Sequence, residues 1–477
     1  MNILFVCPNL AKEEYISLSI GYLSAYIKRA GHKVDLVDYT FGGDINDCIK
    51  KVQEFNPELV CFSLRSNEYN FCLKIAKSVK SRFDVKTVFG GAHPTVDPEN
   101  TIKNKSVDMI CIGEGEEALL ELIEKMERGE DFTNTHNFWF KKDGQVIKNS
   151  LRHLVENLDI LPFPDREIFD FKQYLECRNG AMDMIIGRGC PFGCTYCINH
   201  ILQKLYDGLG RYVRLRSVDN VLDEIRQITS KYDIKTIRFN DDLFTIDKDW
   251  VKEFSEKYSK EFKIPFYCNA RTELITDELC EDLKNAGCVS LNMGIESGSE
   301  KLRREVLNRQ NSNENIINAF KIAKKHGLST FSYNMVGLPF ETLDNISESI
   351  DLNQKVNPDF LTVSIFQPLP GTKLAEICKE NGWIEQAGMT TTIRKHSILN
   401  YPDISAKEIK KQQTFFRYKV LKKENIKKAF VTLLYDLNEN VYRKVRDRMP
   451  RSIKKLIIKV NLSFRSKELN KEFRKKD

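Results

Sequence analysis

No apolar run in the sequence approaches the roughly 20 residues that a bilayer-spanning helix needs. The chain opens MNILFVCP without a basic leader, so a cytoplasmic protein is expected, peripheral at a membrane at most. Low-complexity tracts are missing, which argues against a disordered chain, and no long internal repeat is obvious. With 41% hydrophobic and 30% charged residues, the composition is that of a globular protein able to bury a core.

What is there is long. At 477 residues the chain exceeds what one hydrophobic core organises, and two or three domains are expected. Its 13 cysteines are odd in number and come without an export signal, which favours reduced thiols and metal ligation over disulfides. Ten look like small buried hydrophobes, Cys7, Cys61 and Cys111 in strand-like runs among them. Charge is uneven. Residues 406–477 hold 23 Lys and Arg against 8 Asp and Glu, or +15, leaving −8 for the remainder of the +7 total. Phe415, Phe416, Leu421, Leu456, Ile457 and Ile458 interleave with those cations as on amphipathic helices. Such a tail fits a helical cap with a solvated basic face, or a surface for an anionic membrane or acidic partner.

The first 130 residues alternate short apolar runs (Ile3 to Cys7, Val34 to Asp38, Leu59 to Leu64, Thr87 to Phe89, Met109 to Ile112) with helical patterns. This is the rhythm of a doubly wound parallel sheet. Leu18 to Ala30 reads as an amphipathic helix ended by Gly31. Ligands of such sheets bind at the carboxyl ends of the strands, which here carry Pro8-Asn9, Ser63-Leu64-Arg65, Gly90-Gly91-Ala92-His93-Pro94 and Gly113-Glu114-Gly115-Glu116. Paired glycines let a bulky group approach backbone, so a nucleotide-like or large cofactor is expected. Residues 131–180 read as a connector with a hairpin at Asp143-Gly144 and proline-broken chain after it. From about 181 to 375 a second strand-helix series begins, with runs at Met184 to Ile186, Thr236 to Phe239, Phe266 to Ala270, Val289 to Gly294, Thr330 to Val336 and Leu361 to Phe366. Six such units imply a partial barrel of parallel strands, followed by the basic helical region 376–477.

The sharpest signal is RGCPFGCTYC, just past the first barrel strand, where Cys190, Cys194 and Cys197 are spaced C-x3-C-x2-C. Three thiolates leave a 4Fe-4S cluster with one open iron, where a fully structural cluster takes four. His200, three residues later, offers a competing reading as the fourth ligand of a closed zinc site.

The cysteine spacing with Tyr196 before the last thiol resembles the radical S-adenosylmethionine superfamily signature. The segments RAGHKVDLVDY, GGAHPT and VDMICIGEGE resemble the cobalamin-binding domain that precedes the barrel in many of those enzymes. The resemblance covers residues 1 to about 375 and implies an α/β chain: a Rossmann-like cobalamin domain, a (β/α)6 TIM-type radical barrel and a basic helical tail. It implies that S-adenosylmethionine chelates the open iron, its amino group meeting Asp241 or Asp242 in Asn240-Asp241-Asp242. Arg271 would meet a carboxylate of that cofactor or make an ordinary salt bridge. In MGIESGS, Glu296 would hold the ribose with Ser297 in support, and Gly337 and Pro339 of MVGLPFET would flank adenine. Cobalamin would lie against Pro8, Asn9, Ser63, Arg65, Gly90, Gly91, His93, Gly113 and Glu114; His93 is equally placed to fix its own loop. An Asp-x-His-x-x-Gly motif is absent, so no histidine lower ligand on cobalt is expected, and Arg65 or Asn67 is the candidate for that face. The activity implied is methylation of an unactivated carbon of a small or lipid-like substrate, fed by an external donor such as flavodoxin or ferredoxin. Radical cyclisation, rearrangement or ring contraction is the alternative. A second cysteine triad in the first domain, as in enzymes that modify transfer RNA, is not seen, and no nucleic-acid partner is expected.

Overall fold

The computed structural model describes residues 1–384, 396–430, 432, 433, 436 and 437. The chain divides into two compact units, 1–413 and 414–477, and the first holds both strand systems.

The first sheet runs β1 (Asn2–Cys7), β2 (Lys33–Asp38), β3 (Leu59–Ser63), β4 (Lys86–Gly90) and β5 (Met109–Cys111), all parallel. Strand order is β2-β1-β3-β4-β5-β6-β7. Continuous apolar runs such as ILFVC are buried almost throughout β1 because helices cover both faces of a parallel sheet. The helix Leu18–Arg29 starts on a Ser17 cap that accepts the Ile20 N–H, and Gly31 follows its end at φ 90°. The expected hairpin exists: β6 (Phe138–Lys142) and β7 (Gln145–Lys148) turn through Asp143 and Gly144, both at positive φ, as a two-residue primed turn requires. It is not a free-standing part of the connector, however. β6 pairs antiparallel with β5 and closes that edge of the sheet.

The remaining connector is tied down by side chains. Asp165 takes bonds from Ser24 Oγ at 2.6 Å and Lys28 Nζ at 2.7 Å, and Tyr174 donates to Asp38 at 2.5 Å. Farther on, Glu224 is buried between Arg166 and Arg216, at 2.6 and 2.5 Å.

The second sheet contains β8 (Ala181–Met184), β11 (Thr236–Phe239), β12 (Phe266–Ala270), β13 (Cys288–Glu296), β14 (Ser329–Val336) and β15 (Phe360–Ile365) in consecutive order. Its six parallel strands curl through 187° as a half-barrel. The first strand lies three residues earlier than the apolar run Met184 to Ile186 suggested. The N–H groups of Ile186 and Gly187 bond the Asp241 carboxylate instead of a ladder, so the strand stops at Met184. The chain then forms β9 (Gly187–Arg188), paired with β10 (Arg214–Leu215).

In the second unit Phe416, Val420 and Leu421 are buried, as one face of an amphipathic helix should be. Leu456, Ile457 and Ile458 lie outside the described residues. No helix among the described residues is long and apolar enough to cross a membrane.

Candidate active site

The loop carrying Cys190, Cys194 and Cys197 leaves β9 at the carboxyl end of the half-barrel. Cys194 is buried and its two neighbours are partly so; burial pushes the Cys190 thiol up to about 11 and raises that of Cys197. Two side chains donate to these sulfurs. Arg271, just past β12, reaches Cys194 Sγ with Nη1 at 3.3 Å while its guanidinium lies 3.7 Å over the Phe192 ring. Asn199 Nδ2 lies 3.5 Å from Cys197 Sγ and bonds Asp242 Oδ2 at 2.9 Å. The donor set fits an iron-sulfur cluster: soft ligands on a single loop, with N–H groups aimed at the sulfurs as tuning donors. Among the described residues no group of three or more His, Cys, Asp and Glu side chains closes on a single metal-ion position. His200 is turned to backbone. Its Nδ1 lies 2.5 Å from the Cys197 carbonyl and its Nε2 accepts the Lys373 N–H at 3.2 Å, so neither nitrogen faces the thiols as a zinc ligand would.

The two candidate aspartates separate. Asp241 is buried under the β8–β9 turn, where the N–H groups of Ile186 and Gly187 occupy its oxygens and burial pushes its carboxyl up to about 7. Asp242 is exposed and bridged to Cys197 by Asn199. Arg271 also pairs with Glu273, so the ordinary salt bridge and the place beside the cysteine loop coexist.

At the end of β13 the ladder to β14 slips between Gly294 and Glu296, and Glu296 adopts φ 64°. A side chain in the left-handed region is strained and persists where its surroundings hold it. Arg309 does this: Nη1 lies 3.5 Å from Glu296 Oε1 and 3.2 Å from Tyr196 Oη, and Nη2 donates to the Gly294 carbonyl at 2.8 Å. Burial raises the Glu296 carboxyl and Arg309 opposes that rise. Ser297 is fully buried and its Oγ accepts the Ser299 N–H, a turn-bracing position beneath Glu296. Gly337 has φ 75°; its N–H donates to Glu341 Oε2 at 2.5 Å and its carbonyl accepts from Tyr401 at 2.8 Å. Pro339 is buried beside it.

The sheet's strand ends are a different case. Pro8 is buried, and Asn9 spends its amide on Thr40 Oγ1 and the Glu13 carbonyl, both at 2.7 Å. Arg65 pairs with Glu13 at 2.9 Å and Glu68 at 2.8 Å. Gly91 sits at φ 90°, where a Cβ would lie 2.9 Å from the Leu64 backbone; protein backbone by itself demands glycine there. Ser63 and Gly90 are register partners across β3 and β4. At Gly113 a Cβ would collide with the Tyr206 hydroxyl, which accepts the Glu114 N–H at 2.7 Å. Glu114 itself faces Arg188 and Arg214, and Glu116 pairs with Arg188 at 2.5 Å. Gly113 and Glu114 thus form the seam with the half-barrel. His93 bonds Ser66 Oγ through Nδ1 at 3.0 Å and stacks on Tyr69, while its Nε2 is buried with no hydrogen-bond partner. That orphan nitrogen at the strand ends suits a polar ligand group.

Residues 184–352 match the model of the radical SAM superfamily and residues 9–123 that of the B12 binding domain. The chain joins a B12-binding domain to a radical SAM domain. It is 27% identical to an uncharacterized methyltransferase of Pyrococcus horikoshii, over 80% of this chain and 82% of the relative. With an anaerobic magnesium-protoporphyrin IX monomethyl ester cyclase of Rubrivivax gelatinosus it shares 25% identity over 88% and 78% of the two chains. Among solved structures, the cobalamin-dependent S-adenosylmethionine radical enzyme OxsB, with aqua-cobalamin and S-adenosylmethionine bound, superposes with TM-score 0.72 at 18% identity, covering 98% of this chain and 75% of that one. The radical S-adenosylmethionine methyltransferase TsrM of Kitasatospora setae, with cobalamin and a [4Fe-4S] cluster, gives 0.67 at 16% over 81% and 76%.

Asn199, Tyr206 and Arg309 escape a reading of the sequence. Asn199 stands two residues past Cys197, so its closeness in sequence is a usable signal. Arg309 and Tyr206 have none, because each reaches its partner only through the return of the chain.

Proposed function

We propose that this radical SAM enzyme uses a 4Fe-4S cluster on Cys190, Cys194 and Cys197 together with cobalamin to methylate an unactivated carbon of a small or lipid-like substrate. The observation that carries this reading is the seam. Tyr206, nine residues past Cys197, meets Gly113 and Glu114, and Arg188, two residues before Cys190, pairs with Glu116, so the strand ends of the B12-binding domain adjoin the cysteine loop.

When bound, the reduced cluster supplies the electron that cleaves S-adenosylmethionine to a hydrogen-abstracting radical, and cobalamin supplies a methyl group. The chain's own residues bind and orient. Asp242, exposed and bridged to Cys197 by Asn199, is assigned to the cofactor's amino group; Asp241 braces the turn that carries the loop. Glu296, held by Arg309 and Tyr196, presents its carboxylate to the ribose hydroxyls. Arg271 holds its positive charge 3.3 Å from the Cys194 sulfur, where it would ease electron uptake by a cluster bound to that thiolate. Gly337 and Pro339 shape the adenine side, and the His93 Nε2 offers a polar contact to cobalamin.

The test is anaerobic turnover with S-adenosylmethionine bearing a deuterated methyl group, a strong reductant and a metabolite extract of the source cells. Methylation predicts 5'-deoxyadenosine, S-adenosylhomocysteine and a product three mass units heavier than its light counterpart. The likeness to the cyclase favours a second reading, ring formation without methyl transfer, which predicts 5'-deoxyadenosine with an unlabelled product. Absence of 5'-deoxyadenosine refutes both.

A further inference from the structure

Seven large apolar side chains are exposed among the described residues, and three of them, Ile426, Phe430 and Leu437, fall within twelve residues of the second unit, at 57, 56 and 51% exposure. The segment is helical at 426–430, 432, 433, 436 and 437. Asn425 caps its start by accepting the Lys428 N–H at 2.9 Å. With 3.6 residues per turn, positions 426, 430 and 437 lie within about 40° of one another around the axis. On that period the three exposed side chains share one helical face, while Ala429 is fully buried. Exposed apolar residues scattered singly need no explanation, but three on one helical face mark a surface that meets something.

Charge identifies the partner. Lys422, Lys423 and Lys427 are exposed at the head of the stripe, and residues 414–477 carry 20 Lys and Arg against 7 Asp and Glu. An apolar stripe set in a basic segment is the pattern of a helix lying in the interface of an anionic bilayer: ring and aliphatic groups enter the acyl boundary while ammonium groups meet lipid phosphates. A coiled-coil partner would need no such excess of one sign.

We propose that the Ile426, Phe430 and Leu437 face docks this protein on anionic lipid. The full-length chain is sedimented with vesicles of phosphatidylglycerol and phosphatidylcholine and with phosphatidylcholine alone, at low and high salt. Binding is expected only to the anionic vesicles and is expected to fall with salt. I426E/F430E, and separately K422E/K423E, should each weaken it by about tenfold or more. Both pairs are exposed, so circular dichroism and 5'-deoxyadenosine formation in detergent-free buffer should match the parent. The proposal is overturned by failure to bind, by equal binding to neutral vesicles, by variants that bind like the parent, or by an oligomer in size exclusion that F430E disperses.

Discussion

The two strand systems bring their carboxyl ends together differently. In the half-barrel the ends of β8, β11, β12 and β13 supply the cysteine loop, Asp242, Arg271 and Glu296, and hydrogen bonds link these groups to the loop directly or through Asn199, Tyr196 and Arg309. In the open first sheet the corresponding side chains are spent on the protein itself: Asn9 on Thr40, Arg65 on Glu13 and Glu68, Glu114 on two arginines. Curling through 187° turns strand ends inward on one another, so individual side chains can meet a compact centre. A twisted open sheet spreads its ends along a line, and a large ligand there is met by backbone and shape.

The largest effect that would sharpen this contrast is expected at Cys194. Changing it to Ala should abolish the brown iron-sulfur chromophore and all cleavage of S-adenosylmethionine, while cobalamin retention, measured by absorbance after gel filtration, stays near the parent level. Loss of cobalamin as well would mean that the two ends act as one site.

A smaller effect tests the sheet. Gly91→Ala places a side chain at φ 90° and 2.9 Å from the Leu64 backbone, and should destabilise the protein without any cofactor by about 1–3 kcal/mol. Urea unfolding of cofactor-free protein measures it. If stability is unchanged and only cobalamin binding weakens, glycine is there for the ligand and the contrast fails on that strand end.

The most gradual effect, small at each pH step, is a pH slope in the half-barrel. Burial pushes the Glu341 carboxyl up to about 8, above its unfolded value of 4.5, so between these two pH values the folded state holds a proton that the unfolded state has lost. Stability attributable to this group is therefore present at the acid end and declines as pH rises toward 8, by up to about 1.4 kcal/mol per pH unit. Glu341→Gln keeps an acceptor for the Gly337 N–H and should flatten the dependence of Tm on pH between 5 and 8. An unchanged slope would show that Glu341 is already ionised in the folded protein.

Much of this architecture is legible in the chain. Apolar runs mark β1 to β5 within a residue or two: β1, buried on both faces, is apolar almost throughout, while the edge strand β2 carries Asp35 within its run. Asp143-Gly144 marks its hairpin because both residues tolerate positive φ. The position of β8 is not legible, since Met184-Ile185-Ile186 is as apolar as any strand; a carboxylate 55 residues away claims the Ile186 N–H. Asp241 and Asp242 are likewise equivalent on paper and opposite in the fold, one buried against backbone and the other exposed beside Asn199.

By itself the sequence determined the classes of element, their order and the three-thiol loop, because periodicity, turn residues and close ligand spacing are local properties of the chain. Tertiary structure alone decided which charged groups would be free. A carboxylate at a strand end looks the same whether an arginine or a ligand will meet it. Glu114 finds Arg188 and Arg214, and Glu296 finds Arg309, only after the fold has carried those arginines to it and removed the water that would otherwise have satisfied both.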